Sequence, residues 1–247
     1  MDAPDRDLVA RLSWDEVAAR IETGAAAVLP IGAGAKEHGF HLPMETDRIQ
    51  ADWLAGVVCH NIDALVWPTL TYGFYPAFVH YAGSVSLSRR TFSFAVREII
   101  EGIARFRVAH VLVIDTGIST LQAVADAIEA SGHAGLTHHL RVHDGPRYRE
   151  TAARLCEQAE GTHADEMETA RMLALVPGSV DMAKAVASPP GKGGADGPLN
   201  PHDPQSPNYS PSGSWGDPTL ATREKGQALL EAMATDVAEM ARKAVSL

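Results

Sequence analysis

Residues 26–47 read Ala-Ala-Val-Leu-Pro-Ile-Gly-Ala-Gly-Ala-Lys-Glu-His-Gly-Phe-His-Leu-Pro-Met-Glu-Thr-Asp. The first six, Ala26 to Ile31, form an apolar run with the length and branching of a buried strand. The loop that follows packs His38, His41 and Asp47 into ten residues. Histidines and carboxylates gathered where a strand gives way to a loop are how α/β enzymes build metal sites. Side chains two apart near a strand end face the same way. Lys36 and His38 are therefore expected to share a side, with Glu37 turned away, and the Leu42-Pro43 turn can bring Asp47 back to them. A metal-free reading of this segment stays open, in which Asp47 caps the next helix and the histidines bond backbone groups.

Working outward, Ser13-Trp14-Asp15-Glu16 is a capping-box pattern that opens a helix to about Glu22. Beyond the His-rich loop, Ile49, Trp53, Leu54 and Val57 lie at helical spacing between Asp47 and about His60. Ala64–Pro68 reads as a strand and Tyr72–Ala82 as an aromatic loop. An amphipathic helix is expected over Arg90–Phe106. Strands are expected at His110–Ile114, ending at Asp115, and at His139–Val142, with a helix at Gln122–Ser131 between them. Helices follow at Arg147–Ala159, Asp165–Leu175 and Leu220–Ala244. Strands alternating with helices at these intervals predict a parallel sheet covered on both faces. Residues 188–218 are rich in Pro, Gly, Asn and Ser without periodicity; Tyr209 and Trp215 favour an ordered loop over a site or interface rather than a linker.

The chain has 247 residues, 45% hydrophobic and 21% charged, which suits one large α/β domain over its whole length. The formal net charge of −10 argues against nucleic acid as a partner. No apolar run approaches a membrane span, and the acidic start lacks a signal-peptide core. A cytoplasmic, soluble protein is expected, with Cys59 and Cys156 as inert thiols of a reducing compartment. No Gly-x-Ser-x-Gly elbow surrounds Ser119, and neither cysteine has a histidine near it in sequence, so a serine or cysteine hydrolase has little support.

A second constellation, His163-Ala-Asp-Glu-Met-Glu168-Thr169, sits at a helix start. The helix dipole explains acidic residues in a first turn, which accounts for Asp165 and Glu166 more easily than for His163 and Glu168. Glu166 and Glu168 do not share a helix face, so different roles are expected for them. Asp115, at the carboxyl end of a central strand, is placed to face the site and to orient a ligand or the lysine.

These residues resemble the signature of the creatininase (creatinine amidohydrolase) family, roughly Glu-x-His-Gly-x-His-Leu-Pro-x-x-Thr-Asp. His38-Gly39, His41-Leu42-Pro43 and Thr46-Asp47 match it in order and spacing. His163-Ala164 with Glu168-Thr169 is similar to the family's His-Ala-Gly-x-x-Glu-Thr-Ser motif. Tyr72-Gly73, His80 and Gly83–Leu87 resemble a further family stretch, and Gly216-Asp217-Pro218, Ala221-Thr222 and Lys225-Gly226 its C-terminal pattern. The resemblance implies a three-layer α/β/α sandwich, a divalent metal centre, hydrolysis of non-peptide C–N bonds, and commonly a homohexamer. By the family pattern His41, Tyr72 and His80 are substrate or second-sphere contacts.

Two departures alter the expectation. Lys36 stands where the family has a carboxylate ligand of one metal, and Gly117 where it has a histidine ligand of the same metal. His38, Asp47 and Glu168 survive as one set of N and O ligands, which suits a single Zn²⁺ or Mn²⁺. The Lys36 ammonium restores positive charge where a metal is missing, to steady an oxyanion or, were its pKa depressed, to carry protons. His163 and Glu166 are the expected proton carriers. The expected reaction is metal-dependent opening of a small polar ring, first a cyclic amide. Alternatives are a ring-opening C–C hydrolase of a cyclic polyol diketone (dehydro-inosose type), which the family also contains, and a non-catalytic binding or scaffold relative.

Overall fold

The protein is described here by a computed structural model covering residues 2–188 and 197–246. Four parallel strands, β1 (Ala26–Ile31), β2 (Ala64–Val66), β3 (Val111–Asp115) and β4 (Thr137–Arg141), form a sheet in the order β2-β1-β3-β4. Alternation along the strands divides the core in two. Val28, Leu112, Ile114 and Leu140 pack on one face beneath helices α2 (Thr46–Cys59), α5 (Pro146–Leu155), α6 (Glu166–Leu175) and α7 (Arg223–Ala244). Ala27, Leu29, Ile31, Val111 and Val113 pack on the other, against α3 (Arg89–Ala104) and α4 (Leu121–Ala130), with Ile21 of α1 (Trp14–Glu22) at the margin. This is the expected three-layer α/β/α sandwich. Every strand of the inner pair, β1 and β3, is wholly buried, which is why both read as unbroken apolar runs.

Helix boundaries follow the sequence closely except at α5. The periodicity predicts a helix to Ala159, but it ends at Leu155. The buried carboxylate of Glu166 explains the early stop, because it accepts hydrogen bonds from the backbone N–H of Glu157 and Gln158 at 2.8 Å each. The described part of the 188–218 loop is ordered against the rest of the chain. Trp215 N–H donates to the His163 carbonyl at 2.7 Å, and the Tyr81 hydroxyl to the Ser210 carbonyl at 2.6 Å. Residues 189–196 of that loop lie outside the described residues.

α6 and α7 meet closely at Gly226, where an added Cβ would fall inside the backbone carbonyl of Ala170 and reach 3.0 Å from Ala174 Cβ. Ala170 lies two residues beyond Glu168, so α6 cannot retreat without moving that carboxylate. Gly226→Ala is therefore expected to cost about 1–3 kcal/mol, read as a lower urea midpoint, with metal affinity falling in parallel. A midpoint within error of the parent would show that the helices can separate freely.

Candidate metal centre

The site forms at the carboxyl ends of β1 and β3, closed by the first turn of α6. Gly32 lets the end of β1 lie against the start of α2, since a Cβ there would be 2.5 Å from the Asp47 carbonyl. That contact brings Asp47 back to the loop it follows. The turn before it is fixed by Thr46, whose hydroxyl donates to the Pro43 carbonyl at 2.7 Å. Gly39, at φ 73°, supplies the left-handed turn between His38 and His41. On the opposite wall Ala164 also has positive φ, 45°, which costs about 1 kcal/mol. The kink turns its N–H onto Glu168 Oε2 at 2.9 Å.

Hydrogen bonding fixes both imidazoles in a form that suits a cation. His38 is fully buried, and its Nδ1 lies 2.9 Å from the Lys36 carbonyl. A carbonyl only accepts, so Nδ1 carries a proton and Nε2 is the ring atom presented to the site. Nε2 faces Asp47 Oδ1 at 3.3 Å. His163 repeats the pattern in mirror form. Its Nε2 lies 2.9 Å from the Glu37 carbonyl and 3.1 Å from Glu37 Oε2, so Nε2 is the donor. Nδ1 then faces Glu168 Oε2 at 3.8 Å. A neutral ring in either place turns a lone pair toward a carboxylate, an arrangement that holds with a cation between them. The ring nitrogen away from the site donating to a carbonyl or carboxylate is the usual support of a ligating histidine. Ligand atoms of His38, His163 and Glu168 lie within 4.8 Å of one another, all buried.

Lys36 completes the constellation. Its Nζ is 2.6 Å from Asp47 Oδ2 and lies over the rings of Phe78 and Tyr75, at 5.2 and 5.9 Å. Burial pushes the ammonium toward neutrality, but the carboxylates of Asp47 and Glu168 outweigh it and hold its pKa above the ordinary lysine value. The depressed pKa that proton shuttling needs is therefore not found, and Lys36 is a fixed cation. Burial raises the Asp47 and Glu168 carboxyls, yet both stay below the usual range, Asp47 because of Lys36 and His38 and Glu168 chiefly because of His38. Asp47 thus offers Oδ1 toward Nε2 of His38 and Oδ2 to the ammonium.

Other expected residues are placed less centrally. Glu166 is buried away from the pocket, ion-paired with Lys225 and bonded to the α5–α6 loop, so it cannot move protons at the site. Asp115 is saturated by Gly117 N–H at 3.1 Å, the Thr120 hydroxyl at 2.7 Å and His139 at 3.2 Å; it orients its own loop rather than the lysine. His41 is buried beside α6, its Nε2 2.8 Å from the Thr169 hydroxyl. Tyr72 and His80 are exposed. Cys59 is half-buried, with burial pushing its thiol up to about 12, and Cys156 is exposed.

A cavity of about 420 Å³ opens over Lys36, Asp47, His163 and Glu168, walled by Phe78, Ile118, Met167, His143, Tyr148 and Arg171. Glu37, Phe78, His143 and Arg171 were missed by the sequence reading. Glu37 does not turn away from the site but is buried against His163, because the loop beyond Ile31 no longer alternates as a strand does. Phe78 stacks on His163 with ring centroids 4.1 Å apart. Arg171 had a usable signal, three residues after Glu168 on the same helix face; His143 had none.

The family model for creatininase, described as creatinine amidohydrolase, matches residues 10–241. The chain belongs to the creatininase family. Within that family it is 27% identical over 256 residues to a creatinine amidohydrolase of Pseudomonas putida, covering 95% of this chain and 96% of that protein. A manganese creatininase structure superposes with a TM-score of 0.82 at 27% identity, covering 96% of this chain and 98% of the other. A Zn-Zn creatininase variant superposes at 0.78 with 26% identity, covering 96% and 97%. This creatininase-family chain is accordingly a metal-dependent amidohydrolase, and no described helix is long and apolar enough to cross a membrane.

Burial pushes the imidazoles of His41 and His143 down to about 4, so both are neutral at pH 7. Their folded values lie below the ordinary value of about 6.5, so the unfolded chain binds protons first as pH falls. Their contribution is complete above about pH 6.5 and is lost progressively toward pH 4. Urea midpoints are expected to be level near neutrality and to drop across that window, with a shallower drop in His143→Gln. An identical acid slope in the variant would show that His143 is not among the groups responsible.

Proposed function

We propose that this protein hydrolyses a C–N bond of a small, polar cyclic amide with a single divalent ion, Zn²⁺ or Mn²⁺, held by His38, Asp47 and Glu168. The observation that carries the reading is the division of Asp47, with Oδ1 toward His38 Nε2 at 3.3 Å and Oδ2 on the Lys36 ammonium at 2.6 Å. A carboxylate shared between two metals would use one oxygen for each; here a lysine takes the second position. When bound, the ion polarises the amide carbonyl and makes a nearby water more acidic. The Lys36 ammonium donates to the carbonyl oxygen as negative charge develops there. His163 accepts the proton of the attacking water at Nδ1, while Glu37 holds Nε2–H and steadies the imidazolium, which returns that proton to the amide nitrogen as the C–N bond breaks. Assembly into a homo-oligomer is part of the same family-based reading.

A second arrangement has a specific observation behind it. His163 lies within ligand reach of His38 and Glu168, so it could hold the ion rather than act as the base. The two are separated by metal content. On the primary reading the purified protein carries about one zinc or manganese per chain by elemental analysis. His38→Ala and Asp47→Ala lose it, while His163→Ala keeps it and loses activity about 10²–10⁴-fold. Loss of the metal in His163→Ala would favour the ligand role instead.

Lys36→Met is expected to retain the ion and lower kcat about 10²-fold or more, with a smaller effect on KM, on whichever of creatinine, hydantoins or small lactams is turned over. Full activity in that variant would remove the lysine from catalysis. A protein with no bound ion after growth in ample zinc and manganese, and no turnover of such rings, would be the non-catalytic relative.

A further inference from the structure

The pocket contains a second buried cation, Arg171, with no carboxylate in hydrogen-bond contact among the described residues. Arg171 is 4% exposed and lies one turn along α6 from Glu168. Its Nε donates to Gln50 Oε1 at 2.7 Å and its Nη1 to the Tyr148 hydroxyl at 2.5 Å, both neutral partners. The nearest carboxylate oxygen to Nη2 is Glu168 Oε1, at 3.9 Å, beyond a hydrogen bond. The other acids of the wall are committed elsewhere. Asp165 accepts from Glu168 N–H at 2.9 Å and Gln158 Nε2 at 2.7 Å, and Asp47 serves Lys36 and His38. Burial disfavours the charged guanidinium, while Glu168, Asp165 and Asp47 favour it through space. Once Glu168 grips a metal ion, however, its nearest acid is spent, and a buried guanidinium with no directly bonded anion is one that a ligand completes.

We propose that the substrate bears a carboxylate, and that Arg171 receives it on the α6 wall of the cavity. A guanidinium offers paired N–H donors that match a carboxylate better than any other side chain. Neighbouring groups are arranged not to compete. His143 donates its Nε2–H to the Thr116 carbonyl at 3.2 Å and carries no charge of its own at neutral pH. Phe78, Ile118 and Met167 supply apolar wall around the rest of the ring. Lys36, held by Asp47, stays free for the reacting carbonyl. The inference rests on Glu168 being a metal ligand, as proposed above, and its test reads binding rather than turnover.

The probes are 5-oxoproline, a lactam with a carboxylate, and its neutral isostere 5-oxoprolinamide, titrated calorimetrically into the metal-loaded protein. The acid is expected to bind at least about tenfold more tightly than the amide. Arg171→Met should abolish that preference, and Arg171→Lys, which keeps the charge without the paired donors, should reduce it. Equal binding of the two probes, or binding of neither, would overturn the proposal. So would a preference that survives in Arg171→Lys undiminished or in Arg171→Met at all, since the carboxylate would then be resting on the metal. A preserved, Arg171-dependent preference in a protein that hydrolyses nothing would sink only the catalytic reading.

Discussion

The site depends on one carboxylate divided between two partners. Asp47 is buried in the first turn of α2 and has little solvent to share its charge. Its two oxygens point to different groups, one toward the imidazole of His38 and the other to the Lys36 ammonium. Remove either partner and a buried negative charge is left half-satisfied. The close packing of Gly32 on α2, the Pro43–Thr46 turn and the left-handed turn at Gly39 all bring Asp47 back within reach of the loop it follows.

The second wall is built with equal economy. His163 is held by three independent devices: the Trp215 backbone, the buried Glu37 and the ring of Phe78. None lies near His163 in sequence. The positive φ at Ala164 then lets one short segment present an imidazole and anchor the Glu168 carboxylate. Such over-determination is what allows strained backbone to persist at a functional site.

The sheet and its layers were legible because β1 and β3 are buried on both faces, and burial on both faces leaves an unmistakable apolar run. The ligand candidates His38, Asp47 and Glu168 were legible through motifs in collinear order. What could not be read were contacts that depend on the path of irregular backbone. Glu37 was assigned outward by strand alternation, but the loop had already ceased to be a strand. Glu166 reads as a proton carrier from its place in the His163–Thr169 segment, whereas its carboxylate closes the α5–α6 loop and pairs with Lys225. Asp115 stood at the right end of the right strand, yet local donors in its own loop saturate it.

On the proposed single-ion reading, lysine in place of a second ion changes what the site owes to its surroundings. A metal is exchangeable, so its occupancy follows supply and competing chelators; an ammonium on a covalent tether is present in every folded copy. Part of the positive charge at this centre is then genetically encoded rather than acquired. A cell starved of transition metals would leave the acids of Asp47 and Glu168 in excess over the lysine, yet with the geometry around Asp47 still pinned from one side.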